Sequence, residues 1–536
     1  MRDWAEVCTI GDTLVRAASE APDATAVVLP PHRVSYRDLH AGAARTARGL
    51  LGLGILPGQR IGIVMPNCLT SILTFYAAAL IGAITVPINT RYTPSELAHI
   101  LDHADLAAVV TTDGTPENID FAAKVLRAVE LSSGGTPELL LLGADPVARF
   151  VSDNDLDEVA SSVASELVDE YRRRVRIRDL TVLLYTSGTT TRPKGCMHSH
   201  EPLVRTGAAR ITERPAGAIH PVIWTPCPLF HVGALVPLIG CIATRSTFVT
   251  SRGFDPERTL ELLRAERVTT ALPLFAAFTD AIMDLPRFRS GALPELRQLL
   301  TTGNQTAVAR AQRAFAPAKL ISAYGMTEMC GVAAMSAESD SDAERRSWDG
   351  VPLRGVRIEV WDPDNRRPAR PGQIGEIVAK GYCVFDGYYH DPRATAAAFD
   401  DAGWFHTGDT GMKDEHGRIS FRGRTKDMLK VGGENVSALE VEDALSLHPS
   451  VTQAAVIGVP DARLDEVAVG YVSLMPGTVA EPGELIEFCR ARLASFKVPR
   501  FVGVLAPDEW PMSATKINKV ALRTRALDEF HSKEPA

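Results

Sequence analysis

The chain has no Cys-x-x-Cys pair, and its eight cysteines are scattered along the sequence. Such usage fits reduced thiols in a cytosol and excludes a disulfide scaffold. It has no surplus of basic charge either. Lys and Arg total 57 against 65 Asp and Glu, a formal net charge of -8. That balance argues against a nucleic-acid binder, whose affinity rests on a basic surface. The one basic cluster, Tyr171 to Arg178, reads as a solvated face or linker. The opening residues Met1 to Glu6 lack the apolar stretch of a signal peptide, so a cytoplasmic protein is expected. There are no repeats and no low-complexity tract. Gly-x-Ser-x-Gly, His-Glu-x-x-His and Walker A motifs are all absent. Only Leu69 to Ile88 is uncharged over a length near that of a bilayer. It carries Thr70, Ser71, Thr74, Tyr76, Thr85 and Pro87, and reads as a helix followed by a buried strand, Ala83–Val86. No transmembrane segment is expected.

What is present suits a large globular enzyme. With 536 residues, 45% hydrophobic and 23% charged, the chain should form two or more domains. Short apolar runs at Arg60–Met65, Leu106–Val110, Leu139–Leu142 and Val182–Tyr185 have strand length. Helical stretches such as Asp38–Leu53 and Pro94–His103 lie between them. The alternation predicts an α/β architecture with mainly parallel sheet. Gly52-Leu-Gly54-Ile-Leu-Pro-Gly58 has one residue too many for a dinucleotide fingerprint and reads as a helix end and turn. From Gly372 to Val431 the texture changes to short alternating strands rich in Gly, Asp, Lys and aromatics. Beyond it, Ala438–Leu447 reads as a helix, Thr452–Val459 as a strand and Glu484–Leu493 as a helix. These form a small α+β unit of about a hundred residues, with a boundary near Arg424 to Asp427.

Residues 185 to 195 carry the strongest chemical signal: Tyr185-Thr-Ser-Gly-Thr-Thr-Thr-Arg-Pro-Lys194-Gly. Five Ser/Thr hydroxyls, a Gly and a Lys follow the apolar run Val182–Leu184. Backbone N–H groups, hydroxyls and an ammonium aimed at one point suit the oxygens of a polyphosphate. A Walker A loop needs Gly-Lys opening a helix, and the chain has no Gly-Lys dipeptide. The loop therefore reads as a nucleotide-phosphate binder of another design, or else as a solvated Ser/Thr turn. Cys196-Met-His198-Ser-His200, which follows it, lacks a second ligand pair at zinc spacing and reads as strand.

Four more segments, with the loop, make a resemblance. They are Tyr324-Gly-Met-Thr-Glu328, Trp404-Phe-His-Thr-Gly-Asp409, Gly423-Arg424-Thr-Lys426-Asp427 running on to Asn435, and Pro511-Met-Ser-Ala-Thr-Lys516-Ile-Asn-Lys519. In type, order and spacing the set resembles the adenylate-forming enzymes: acyl-CoA synthetases, adenylation domains and beetle luciferases. The resemblance covers nearly the whole chain. It implies a large N-terminal domain of mixed, mainly parallel sheets with helices and a β-rich subdomain, 1–424, and a small mobile α+β C-terminal domain, 425–536. It also implies the reaction, in which a carboxylate attacks the α-phosphorus of ATP and expels pyrophosphate. Two anions meet there, so charge compensation governs the barrier.

By this resemblance Thr186, Ser187, Gly188, Thr189, Thr190 and Lys194 would cradle the phosphates. Glu328 would hold Mg²⁺, for which a hard carboxylate oxygen is suited. Thr327 would contact a phosphate and Tyr324 would lie along adenine. Asp409 would accept from both ribose hydroxyls and Arg424 would complete that grip. Lys516 would reach the carboxylate and α-phosphate during adenylation. Lys426 would be the hinge about which the C-terminal domain turns, bringing Gly432 and Gly433 towards the entry of the CoA thiol. The acyl pocket would include His231, Gly303, Asn304, Gly325, Met326 and Val332.

The chain departs from the family pattern at several points. The Gly expected before Lys516 is missing, which shortens that loop and leaves Lys519 as the fallback. Thr191 stands where Gly is frequent, with less backbone freedom. Gly303-Asn304-Gln305 replaces a run of small residues, so Asn304 binds either a substrate hydroxyl or the backbone. His231 is assigned to packing and gating ahead of general-base work. The leading expectation is a carboxylic acid–CoA ligase acting on a hydroxylated aromatic acid with ATP, Mg²⁺ and CoA, as a monomer or homodimer. Alternatives are a medium-chain fatty acid substrate, an acyl-AMP ligase loading a carrier-protein thiol, and a luciferase-like oxygenase.

Overall fold

The computed structural model describes residues 8–113, 119–186, 193–213, 220–302, 305–337, 339–363, 366–424, 427–431, 434–461, 463–513 and 516–531. Of residues 305, 306, 430, 434, 435, 513, 516, 530 and 531 it describes the backbone alone.

Two seven-stranded sheets form the body of the chain. The first runs, from one edge, Lys319–Ile321, Gln298–Thr302, Thr270–Phe275, Val222–Trp224, Thr247–Val249, Thr25–Leu29 and His32–Ser35. All neighbours are parallel except the last pair, a hairpin. The second runs Gly387–Tyr388, Lys194–Ser199, Leu180–Thr186, Ile84–Pro87, Arg60–Val64, Leu106–Thr111 and Glu138–Leu141. Its first two pairings are antiparallel and the rest parallel. The expected α/β class and the strands read from apolar runs are present, with ends displaced by a residue or two.

Leu69–Ile88 is a helix, Leu69–Ile81, then a strand, Ile84–Pro87. Gly82 closes the helix at φ 75°, a left-handed conformation that glycine adopts without steric cost. The helix is apolar on almost every side because almost every side is buried, against the second sheet and the helices Ile10–Glu20, Tyr36–Gly52 and Ser165–Arg174. Among the described residues no helix is long and apolar enough to cross a membrane. Helices His200–Thr212 and Val232–Thr244 pack closely through two glycines. A Cβ on Gly240 would lie 2.3 Å from the Gly207 carbonyl oxygen. The basic cluster is the solvated face expected of it at Arg173, Arg174, Arg176 and Arg178, while the Arg172 side chain is 18% exposed and bridges Asp12 and Asp169. Tertiary charge pairing, invisible in the local run, decides this.

After the three short strands at Ala323–Tyr324, Ala334–Met335 and Val351–Pro352 comes an antiparallel four-stranded sheet, Val356–Trp361, Gly375–Gly381, Phe405–Lys413 and Ile419–Arg424. The next strand, Met428–Val431, belongs to a separate sheet with Glu434–Ser437, Asp465–Leu474, Val451–Asp461 and Phe501–Val504. Its own cores are built with the helices Ala438–Ser446, Pro482–Arg490 and Lys519–His531.

Candidate functional site

The strand Leu180–Thr186 feeds the phosphate-loop sequence and Lys194–Ser199 returns from it. The strand continues through Tyr185 and Thr186, further than the apolar run suggested, and Thr186 faces Lys194 across the pair. Ser187, Gly188, Thr189 and Thr190 lie outside the described residues. His198 and His200, read as strand residues, are buried, His198 on the strand and His200 as the first residue of the next helix. Burial lowers both imidazoles to about 4, so they are neutral. No group of three or more His, Cys, Asp or Glu among the described residues is arranged to hold a metal.

The segment Tyr324 to Val332 is shaped by close backbone approach. A Cβ on Gly325 would lie 2.5 Å from the Gly331 carbonyl oxygen, so only glycine fits. Thr327–Met329 forms one 3₁₀ turn, closed by Cys330 and Gly331 at φ 53° and 83°. The turn presents Glu328, half-buried, to Tyr388, whose Oη donates to Oε1 at 3.0 Å. The Phe385 N–H donates to the Glu328 carbonyl at 2.8 Å. The Lys194 ammonium stands 5.0 Å over the Tyr388 ring. Tyr388 therefore joins the base of the phosphate loop to the acidic turn, and burial followed by the Glu328 charge raises its phenol pKa. The sequence reading missed it; the only signal was the aromatic run at Phe385 to Tyr389.

Asp409 is 3% exposed and lies against Tyr324 and Arg424. Tyr324 Oη donates to Oδ2 at 2.9 Å, and Arg424 Nε lies 3.1 Å from Oδ1. The turn before Asp409 is fixed by Thr407, which accepts from the Asp409 N–H at 3.0 Å, with Gly408 at φ 67°. Tyr324 stacks on Phe421, ring centroids 6.1 Å apart and 24° between planes. Burial, then the Asp409 charge, drives the Tyr324 phenol well above its usual pKa, so it stays a donor.

His231 precedes the helix Val232–Thr244, its ring 4.6 Å from Phe230. Gly331 packs on Val232, a Cβ there lying 3.3 Å from its methyl groups, so the residue after His231 meets the turn between the half-buried Met326 and the buried Val332. Gly303 and Asn304 fall outside the described residues, directly after Thr302, whose hydroxyl donates to the Leu274 carbonyl at 2.5 Å. Leu274 has φ 65°, and a Cβ on Gly233 would lie 2.4 Å from its Cδ1. Phe254, Phe275 and Phe278 cluster beside it, with Phe254 and Phe278 4.7 Å apart. Neither Leu274 nor the phenylalanines carried a sequence motif.

Lys426, Gly432 and Gly433 lie outside the described residues, and only the backbone of Lys516 is described. Lys516 pairs with Ser513 in a short hairpin, so the missing Gly leaves two residues between these strands. Lys519 opens the last helix, and its Nζ lies 2.6 Å from Glu442 Oε1.

Residues 14–389 match the AMP-binding enzyme family and residues 440–516 match the AMP-binding enzyme C-terminal domain. The chain is 32% identical to the "Putative acyl-CoA synthetase YngI" of Bacillus subtilis, covering 98% of each. It is 34% identical to a feruloyl-CoA synthase of an Amycolatopsis species, over 96% of this chain and 99% of that one. ATP-bound MatB from Rhodopseudomonas palustris superposes with a TM-score of 0.84 at 26% identity, over 98% and 100% of the two chains. The chain thus belongs to the adenylate-forming acyl-CoA synthetase superfamily. Within it, the chain is an AMP-forming acid–thiol ligase.

Proposed function

We propose that the protein is an ATP-dependent carboxylic acid–CoA ligase that forms acyl-AMP and transfers the acyl group to CoA, with an aromatic acid as substrate. The observation carrying the nucleotide half is the buried Asp409 held between Tyr324 and Arg424. A carboxylate fixed in this way can accept from two adjacent hydroxyls, as a ribose presents. The Tyr324–Phe421 stack gives a flat wall for a base.

Thr186 and Lys194, with Ser187 to Thr190 between them, would hold the phosphates. Glu328 fits Mg²⁺ as a single hard ligand, because that ion keeps waters and substrate phosphates as its other ligands. Bound there, Mg²⁺ would neutralise phosphate charge. Tyr388 orients the Glu328 carboxylate for this, and Thr327 lies beside it. Lys516 would stabilise the charge that develops as the carboxylate meets the α-phosphate. The Lys519–Glu442 ion pair supports this choice, since it commits Lys519 to its own domain. Lys426, in the gap between the strands ending at Arg424 and beginning at Met428, is the hinge we assign, with domains 1–424 and 425–536 on either side. The turn would bring Gly432 and Gly433 to the CoA thiol. The acyl pocket would be formed by His231, Gly303, Asn304, Gly325, Met326 and Val332.

Two features support an aromatic acid: the feruloyl-CoA synthase among the relatives, and the phenylalanines 254, 275 and 278 beside Thr302. The free thiols suit a reducing compartment. A panel of aryl and aliphatic acids tests the reading, first by acid-dependent ATP–pyrophosphate exchange and then by thioester formation with CoA. Exchange without any CoA thioester would point to a carrier-protein thiol instead. No exchange with any acid would overturn the assignment.

A further inference from the structure

The helix Pro94–Ala104 shares an apolar core with Leu183, Tyr185, Met197 and Tyr389, so it packs behind both legs of the phosphate loop. Its last two turns carry His99 and His103, four residues apart and on one face, with ring centroids 5.5 Å apart. His103 Nδ1 lies 2.7 Å from the Tyr185 phenol oxygen, and the two rings meet edge-on at 5.7 Å. Tyr185 stands just before Thr186 at the end of the leading strand. Burial raises its phenol pKa, so it keeps its proton and can donate to a neutral His103. The returning leg is held at the same point. The Tyr389 N–H donates to the Gly195 carbonyl at 2.8 Å. A Cβ on Gly195 would lie 3.3 Å from Tyr185 Cζ and 3.5 Å from Tyr389 Cβ, so the Tyr185 ring lies across the residue that follows Lys194. Tyr389 stacks on His390 at 4.0 Å and 15°, and the His103 ring lies 5.9 and 5.8 Å from theirs.

An amide side chain would serve as well for an acceptor. An imidazole adds a response to protons near neutral pH. When His103 takes up a proton, Nδ1 changes from acceptor to donor. The Tyr185 hydroxyl is then faced by a donor, and the bond must turn round or break. The new charge also stands against the His99 and His390 imidazoles. Burial, then those two rings, lower the His103 pKa, and Asp391 pulls the other way. Other charges on this helix and on its neighbour Phe121–Leu131 are committed elsewhere. Asp102 accepts from Ser132, Ser133 and Gly134, Glu96 caps Thr93, and Asp105 at the helix end pairs with Arg60. The Lys124 ammonium donates to the Thr90 carbonyl and Arg127 pairs with Glu130. On the returning strand, Lys194 lies over Tyr388.

We propose that His103 is a positioning residue for nucleotide binding. Neutral, it holds the leading leg through Tyr185 and abuts the Tyr389–His390 stack that ties down the returning leg, so that Thr186 and Lys194 stand ready for the phosphates. Protonated, it releases the leading leg, and ATP binds more weakly as pH falls. The inference rests on the reading of residues 186–194 as the phosphate loop. Donors fixed before binding lose less freedom on meeting a polyanion, so loosening one leg should appear in the KM for ATP more than in kcat.

ATP–pyrophosphate exchange at saturating acid and matched Mg²⁺, followed from neutral into acid pH, tests this in the full chain. The γ-phosphate of ATP titrates in the same range for every variant, so the difference between variants is the readout. Tyr185→Phe should raise the KM for ATP near neutral pH by about three- to tenfold with kcat near wild type, as loss of one hydrogen bond implies. His103→Gln, whose amide oxygen still accepts from Tyr185, should match wild type near neutral pH and lack the further rise in KM that wild type shows below about pH 6.5. His390→Asn changes an exposed residue at φ 52°, a conformation that Asn tolerates. It should move that rise to higher pH, because one ring opposing the His103 charge is gone. An equal acid rise in wild type and His103→Gln overturns the inference, and so does an unchanged KM in Tyr185→Phe or an unmoved rise in His390→Asn. Lys194→Ala keeps the two readings apart. If it raises the KM for ATP while the other variants depart from these outcomes, the inference alone fails; if it leaves KM unchanged, the loop reading fails and the inference with it.

Discussion

Asp409 and Arg424 face one another directly across an antiparallel pair of strands, and Arg424 Nε lies 3.1 Å from Asp409 Oδ1. Arg424 is also the last residue of its strand, two positions before Lys426. The side chain assigned to the ribose thus sits at the edge of the proposed hinge, so nucleotide occupancy and domain position would be read by one residue.

Asp409→Ala should weaken ATP binding by about 1–3 kcal/mol, the cost of removing one partner from a buried hydrogen-bonded group. Tyr324 also loses its acceptor, so Tyr324→Phe in the Asp409→Ala background should recover some stability but no ATP affinity. Calorimetric titration and thermal unfolding measure the two effects separately. ATP affinity unchanged in Asp409→Ala would leave the residue only a role in its turn.

Glu328→Gln should sharply raise the Mg²⁺ concentration needed for turnover while the protein stays folded. Tyr388→Phe should raise it only a few-fold, because it frees the carboxylate without removing it. The 3.0 Å bond from Tyr388 to Glu328 motivates the second variant. Equal Mg²⁺ dependence in wild type and Glu328→Gln contradicts the assignment.

Asp349 provides a pH signature. Burial raises its carboxyl to about 6, against the pull of the Phe421 N–H bond and of Arg422. Its folded pKa lies above its unfolded value, so the folded state binds the extra proton between about pH 4 and 6, and stability falls as pH rises through that window. Ionisation there costs on the order of 2–3 kcal/mol. Asp349→Asn keeps a carbonyl acceptor for Phe421 and should be more stable than wild type at pH 7, with the difference vanishing near pH 4. Denaturant unfolding at the two pH values checks this. A variant less stable at pH 7 would show that the carboxylate is stabilising.

Lys519→Ala should strip Glu442 of its counter-charge. Burial already raises the Glu442 pKa, so the C-terminal unit should lose stability, while adenylation per folded molecule stays near wild type. Loss of adenylation in a folded Lys519→Ala protein would move the catalytic assignment from Lys516 to Lys519.

The legible parts of the fold were those with local causes. Leu69–Ile88 showed its helix and strand because Ala77 to Ala79 precede Gly82 and the β-branched Ile84, Thr85 and Val86 follow it. The nucleotide residues were legible as motifs, because Tyr324, Glu328, Asp409 and Arg424 sit in short segments of fixed chemistry. Tyr388 was not, since its role arises only when its strand pairs with Lys194–Ser199 and meets a turn sixty residues away. Leu274 was illegible for the same reason. Positive φ at a leucine is a product of packing, and no spacing in the sequence announces it. Arg172 turns inward from an otherwise solvated cluster, which the sequence did not show because its partner Asp12 is far away in the chain.

The central claim is that Lys516 serves the first half-reaction and is dispensable for the second. Lys516→Ala separates them, using the best acid of the panel. Acid-dependent ATP–pyrophosphate exchange should fall by several orders of magnitude, since the ammonium that offsets converging charge is gone. The synthetic acyl-AMP of the same acid, given with CoA, should still yield thioester within a few-fold of the wild-type rate. Exchange that persists in Lys516→Ala, or thioester formation that falls as far as exchange does in a folded protein, would contradict the account.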